Sequence, residues 1–259
     1  MMESVLLEKD GPIGWLTLNR PDKRNALSLE LMGDMLERLD QVAEDGETRI
    51  VVIRGNGQAF CAGHDMSEMV GRDHGVHRFR EVFTRCSEMM LRLQKLPQPV
   101  IAQVHGIATA AGCQLVAACD MAIAETGARF ATPGVKIGLF CTTPMVPLVR
   151  VIGRRRAMEM LMSGRFVSAA EAERFGLVNR VVPADRLAEE ARNWAMDLAQ
   201  ASRFTLAFGK QAFYHQIDLA EAAAYGYAKE AIALNALAED AQEGMGAFLE
   251  KRKPVWRDR

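Results

Sequence analysis

Apolar positions along this chain change rhythm several times, and each change marks an element. Val5-Leu6-Leu7-Glu8 and Ile13 to Leu18 flank Lys9-Asp10-Gly11-Pro12, which predicts a strand, a turn and a second strand. Largely apolar runs at 50–53, 100–104 and 121–124 predict buried strands, and a further strand is expected over 177–182. Between them the period lengthens. Leu31, Met35, Leu39 and Val42 form one stripe of a helix that Ser28 caps and Gly46 stops. A second helix is expected from about Phe79 to Leu96, ended by Pro97 and Pro99, and a short one from Ala111 through Ala118. Ser168 and Glu171 form a capping box, with Gly176 as the stop.

Short strands alternating with helices give an α/β fold with largely parallel pairing. From about Ala184 to Lys251 the pattern becomes alanine-rich and helical, and 218–238 has no helix breaker except Gly226. That stretch is too apolar for a lone exposed helix, so it is expected to pack on another subunit; packing on its own core is the alternative. The implied division is a core over 1–195 and a helical oligomerisation region over 196–259.

Composition narrows the function. The 259 residues are 49% hydrophobic and 25% charged, with a net charge of −1, so no global field recruits nucleic acid or an anionic membrane. An anionic ligand would need local cations. Five cysteines, odd in number and without a Cys-x-x-Cys pair, favour a reducing compartment. The first residues show no secretory pattern, and no run of about twenty apolar residues occurs. A cytoplasmic location is expected, or the mature form of an organellar protein. His74 and His77, three apart beside Asp73, lack the further ligands of a metal site.

Two loops carry the chemistry. Ala59 to Asp65 and Val104 to Leu115 each follow a predicted strand and crowd small residues where the chain leaves the sheet. Small residues let backbone N–H groups approach a ligand, and a helix starting at Ala111 aims its unpaired donors at one point. An N–H at His64 would complete a two-donor hole for an oxyanion, such as the enolate of a thioester. Either loop alone is also simply the tight turn needed where a helix meets a sheet; the pair is what suggests a site.

The chain resembles the enoyl-CoA hydratase/isomerase (crotonase) superfamily along nearly its whole length. Leu18 to Leu27, Phe60 to Met66, His105 to Asp120 and Phe248 to Pro254 correspond in order. The resemblance implies a spiral of ββα turns with a C-terminal helical trimerisation region, assembled as a trimer or a dimer of trimers. It also implies a CoA thioester as ligand, with no separate cofactor and no metal. It places the hole amides at His64 and Ala111, and puts Ala62, Asp65 and Met66 around the adenine and pantetheine. Lys23 or Arg24 would meet CoA phosphates, and Phe248 and Lys251 would reach the adenosine end from a neighbouring subunit.

Departures matter as much. The family's hydratases hold a water between two glutamates; the equivalent positions here are Gln114 and Gly134. Neither transfers a proton near pH 7, so hydration is expected to be weak or absent. Cys141 lies where the acyl pocket is expected and reads as a small hydrophobe in its wall rather than a nucleophile. The chain is similar to an atypical subgroup of the family, proteins named for an enoyl-CoA hydratase domain. The readings left open are an acyl-CoA lyase of hydratase type, an acyl-CoA decarboxylase, and a non-catalytic CoA-ester-binding subunit.

Overall fold

A computed structural model describes residues 3–71 and 75–259. The elements run β1 (Val5–Asp10), β2 (Ile13–Leu18), α1 (Leu29–Glu44), β3 (Ile50–Gly55), α2 (Val76–Lys95), β4 (Val100–Val104), β5 (Ile107–Thr109) and α3 (Ala111–Ala118). They continue as β6 (Met121–Glu125), β7 (Arg129–Ala131), α4 (Thr142–Ile152), α5 (Arg154–Ser163), β8 (Val167–Ser168), α6 (Ala169–Phe175) and β9 (Arg180–Val182). Four helices close the chain: α7 (Leu187–Leu198), α8 (Arg203–Gln216), α9 (Glu221–Asn235) and α10 (Glu239–Leu249).

The main sheet has the order β1-β2-β3-β4-β6-β9, antiparallel only between β1 and β2. Its inner strands read as largely apolar runs because both faces are covered. Val51 and Ile53 point into a core with Leu31, Met35 and Leu39 of α1 and Met89 and Leu93 of α2. Ile50 and Val52 point the other way, onto Leu187, Ala191 and Trp194 of α7.

Capping follows the sequence. The Ser28 hydroxyl accepts the Leu31 N–H at 3.2 Å, and the Ser168–Glu171 box is complete, with Gly176 left-handed at φ +83°. Two expectations shift. Helix α2 starts at Val76 rather than Phe79, with Gly75 as its cap. The expected strand over 177–182 keeps only its last three residues, because the Leu177 N–H returns to the Ala172 carbonyl to finish α6. The small sheet β5-β7-β8 carries no sequence periodicity. It nonetheless sets the second loop, since β5 runs directly up to the start of α3.

Buried polar bonds anchor the C-terminal helices. Lys210 of α8 reaches Asp120 (2.7 Å) and the Leu93 and Gln98 carbonyls (2.8 and 2.9 Å). Asp240 of α10 accepts from the Ser202 hydroxyl and from the Arg257 and Asp258 amides. Helix α9 differs: within this single chain only its Ala231 is buried, while Tyr225, Ile232 and Leu234 lie open.

Candidate active site

The first loop is stitched to the 24–27 segment. The Leu27 N–H donates to Gly63 O (2.7 Å), Asp65 N–H to Leu27 O (2.9 Å), and Ala62 N–H to Arg24 O (3.0 Å). Direction alternates along extended backbone, so the His64 N–H, between these bonded neighbours, points to the opposite side. It has no backbone acceptor among the described residues.

That opposite side holds the start of α3. Cys61 N–H donates to Ile107 O and Thr109 N–H to Cys61 O, at 3.1 and 3.0 Å, while the Thr109 hydroxyl donates to Ala62 O at 3.0 Å. A Cβ on Gly63, whose φ is +101°, would come within 2.9 Å of Ala110 Cβ and 3.5 Å of Ala111 N. Only glycine allows that approach. Ala110 itself carries φ +50° and ψ −116°, an unfavourable conformation for a residue with a side chain. It is held there by its N–H to Ala131 O (2.9 Å) and by its carbonyl, which accepts from Gln114 N–H (3.0 Å). The twist ends in Ala111, whose N–H opens α3 without a backbone acceptor among the described residues. Two N–H groups without a backbone acceptor among the described residues therefore lie on loops in close contact.

The side chains around it are nearly uncharged. Nε2 of His64 is buried with no hydrogen-bond partner among the described residues, and the ring lies edge-on to Phe83 at 5.3 Å. Burial pushes the imidazole down to about 4, so it is neutral at pH 7. The Gln114 side chain is buried, and its Oε1 lies 3.9 Å from Cys86 Sγ. Gly134 sits in a 3₁₀ turn over 133–137, where a Cβ would meet Leu139 O at 2.5 Å and Cys141 Sγ at 2.8 Å. Burial raises the Cys141 thiol, partly offset by the Gly134 N–H, which argues against a thiolate nucleophile.

Other predicted residues fall in three groups. Lys23 and Arg24 are exposed, and neither has an ion-pair partner among the described residues. Arg24 is tied to the first loop through Ala62, which leaves its side chain free beside it. Asp65 is already committed: the Ser67 hydroxyl and then Arg20 (2.9 Å) hold its carboxyl below the usual range, against the effect of burial. The Asp65 and Met66 carbonyls each accept a turn N–H, from Glu68 and Met69. Phe248 is 81% exposed at the end of α10, Lys251 follows in a left-handed conformation, and the single chain does not bring either to the loops. His74 and Asp73 lie outside the described residues. Among those described, no group of three or more His, Cys, Asp or Glu side chains is placed to hold a metal. Sequence reasoning missed Arg20, Phe83 and the Thr109 hydroxyl, which brace the loop from elsewhere in the chain; Arg20 alone carried a signal, beside Pro21 in a charged loop.

Residues 8–259 match the enoyl-CoA hydratase/isomerase family. This chain belongs to that family. Its relatives include the rat enoyl-CoA hydratase domain-containing protein 3, mitochondrial, 44% identical over 96% of this chain and 82% of that protein. Among solved structures, an enoyl-CoA hydratase of Mycobacterium smegmatis superposes with a TM-score of 0.95 at 46% identity, covering 98% of each chain. The human enoyl-CoA hydratase domain-containing protein 3 superposes equally well, TM-score 0.95, at 41% identity over 98% of this chain and all of that one. Both give this member of the enoyl-CoA hydratase/isomerase family the crotonase-like α/β fold, its closing helices matching the trimerisation-type region. One expectation falls. The rat protein is mitochondrial by name, as are its fish, frog, mouse and human counterparts, which overturns the cytoplasmic placement. The expectation rested on an amino terminus that showed no secretory pattern, and such a pattern does not report on mitochondria. No helix among the described residues is long and apolar enough to cross a membrane.

Proposed function

We propose that the chain binds an acyl-CoA thioester and stabilises its enolate oxygen between the His64 and Ala111 N–H groups. The observation that supports this reading is the close approach of Gly63 to Ala110 and Ala111, which brings together the two loops that carry these N–H groups. Such a hole is worth about 10²–10³ in rate per donor. Lys23 and Arg24, unpaired beside the first loop, supply the cations that CoA phosphates need in a chain of net charge −1.

Hydration needs a base for water and an acid for the carbon. Gln114 can orient a water but cannot move a proton, and Gly134 offers no side chain. The hydratase-type chemistry is therefore slow: each missing acid–base group typically removes about 10²–10⁴ in rate. A second reading follows from the same vacancy. In decarboxylation the C–C bond to the carboxylate breaks, its electron pair enters the thioester as an enolate, and carbon dioxide leaves with no base required. The hole alone then supplies most of the catalysis. With neither reaction, the chain is a CoA-ester-binding subunit.

Titration with crotonyl-CoA tests the common element. Tight binding is expected, with hydration no faster in the natural chain than in Gln114→Ala. Carbon dioxide release from malonyl-CoA supports the second reading, and its absence leaves a binder. Failure of every CoA ester to bind overturns the proposal. The open apolar face of α9 is assigned to a trimer, which would bring Phe248 and Lys251 of one copy to the CoA site of the next. Sedimentation as a monomer would sink that assignment.

A further inference from the structure

Ala110 carries a side chain where its backbone favours none. At φ +50° and ψ −116° it has the angles of the first central residue of a type II′ turn, which glycine adopts without strain. Arg24 shares that φ, but its ψ of +39° leaves it in the left-handed helical region that residues with side chains do visit. A glycine at 110 would serve the turn better, so the methyl is held against the preference of its own backbone. Outliers of this kind gather at functional sites.

The contacts of the methyl show what it does. A Cβ added to Gly63 would lie 2.9 Å from Ala110 Cβ, which puts the methyl against Gly63 itself, within the roughly 4.0–4.5 Å of apolar contact. Thr109 makes the neighbouring contacts: its N–H donates to Cys61 O and its hydroxyl to Ala62 O, both at 3.0 Å. Cys61, Ala62 and Gly63 are thus each met by one group of the Thr109–Ala110 pair. The next residue on either segment, His64 or Ala111, carries one of the two N–H groups assigned to the hole. On its far side Ala110 is fixed through Ala131 O and Gln114 N–H, so the methyl cannot retreat when the first loop presses on it.

We infer that Thr109 and Ala110 are positioning residues for the proposed hole: the hydroxyl draws the first loop in, the methyl stops it, and their balance sets the spacing of the two N–H groups. Without the stop, Gly63 closes on the start of α3; without the bond, the loop drifts away. A preorganised donor pair tolerates a displacement of only about 0.5 Å, and replacing a methyl by hydrogen frees more than that. The inference rests on the CoA-thioester reading above. Its competitor is a methyl that merely fills a corner of the main core, against which Ala110 also packs.

Ala110→Gly in the full chain separates the two. Loss of a core-filling methyl lowers the urea midpoint, whereas loss of a strained spacer should raise it and still damage the hole. The hole is read with acetyl-CoA carrying ¹³C at its carbonyl, whose resonance moves downfield when bound N–H donors polarise the bond. At saturating ligand Ala110→Gly should lose most of that move, with affinity for CoA alone staying within about threefold of the natural chain. Thr109→Val keeps the shape, removes the hydroxyl and should lose the move as well, while Thr109→Ser should retain it. An undiminished downfield move in Ala110→Gly or in Thr109→Val overturns the inference. So does a lowered midpoint in Ala110→Gly, which assigns the methyl to the core, and a loss in Thr109→Ser removes the hydroxyl from the account. A natural chain that binds acetyl-CoA without moving the resonance refutes the hole itself, and one that binds no CoA ester refutes the thioester reading.

Discussion

Gly63→Ala is the sharpest probe of the two-loop site. The added Cβ would lie 2.9 Å from Ala110 Cβ and 3.1 Å from Thr109 O. Ordinary carbon contacts are about 3.5–4.0 Å, so the loops must part by roughly 0.6–1 Å. Two stability terms oppose the variant. Holding alanine at φ +101° costs about 1–3 kcal/mol, and overpacking adds about 1–3 kcal/mol. Against a typical total of about 5–15 kcal/mol, most molecules stay folded at 25 °C while the urea midpoint falls clearly. The functional loss comes from geometry, because a displacement beyond about 0.5 Å spoils a preorganised donor pair. A nitroalkyl analogue of an acyl-CoA, whose nitronate mimics an enolate, reports on the pair without needing turnover. Its affinity should fall by about 10²–10³, the usual effect of losing one hole donor. Affinity for CoA alone should change less than about threefold. Gly209→Ala in α8 is the control: its new Cβ meets nothing within 4 Å, so stability should rise by about 0.5–1 kcal/mol with analogue binding untouched. A Gly63→Ala chain that loses stability as stated yet holds the analogue as tightly as the natural chain would refute the reasoning.

Three further outcomes are expected. His64 titrates near 4 folded and at about 6.5 unfolded, so below pH 6.5 the unfolded chain binds a proton that the folded one refuses. Stability is therefore lost as pH falls from 6.5 toward 4, by about 3 kcal/mol from this group; urea midpoints of natural and His64→Gln chains at pH 7 and pH 4.5 should diverge accordingly, and parallel behaviour would count against it. Lys23→Gln combined with Arg24→Gln should weaken CoA binding and flatten its dependence on salt, whereas an unchanged salt profile would place the phosphates elsewhere. Lys210→Met strips Asp120 of its buried cation and should cost about 3–5 kcal/mol; adding Asp120→Asn should restore part of it, and strict additivity in that double-mutant cycle would deny the coupling.

How much was legible in the sequence depended on the range of each contact. The strands β2, β3 and β4 and the helices α1 and α3 were readable because an apolar run or a cap records them locally. The strands β5, β7 and β8 were not, being three, three and two residues long and defined only by their partners. Likewise, small residues at Gly63 and Ala110 to Gly112 disclosed that backbone would come close to something. That they come close to each other was expected from pairing the two loops and from the family resemblance, since no local pattern records it. Arg20 and Asp65 are 45 residues apart, and no local pattern pairs them. The open face of α9 was legible from composition alone, since apolar content beyond what the fold can bury is a property of the segment itself.

The two departures from the hydratase pattern differ in kind, and the difference limits how the proton shuttle was lost. Gln114 keeps the shape of a glutamate, in a buried place on α3 against Cys86. Only the chemistry of one terminal atom separates it from an acid, and burial beside a thiol would hold that acid neutral. Gly134 is another matter. The sequence presents it as a missing side chain, yet the space has gone as well. Cys141 Sγ and the Leu139 carbonyl occupy it, and the Leu139 N–H returns to Gly134 O at 2.9 Å to close the turn. A glutamate there needs Cys141 replaced and the turn opened, so no single substitution restores it. The proposed hole draws on different residues: Gly63, Ala110 and the Leu27–Asp65 bonds hold the two loops together, and none of these contacts involves the 133–141 segment. On the proposed reading, thioester polarisation and proton transfer rest on separate parts of this fold, and the packing around Gly134 leaves room for the first without the second.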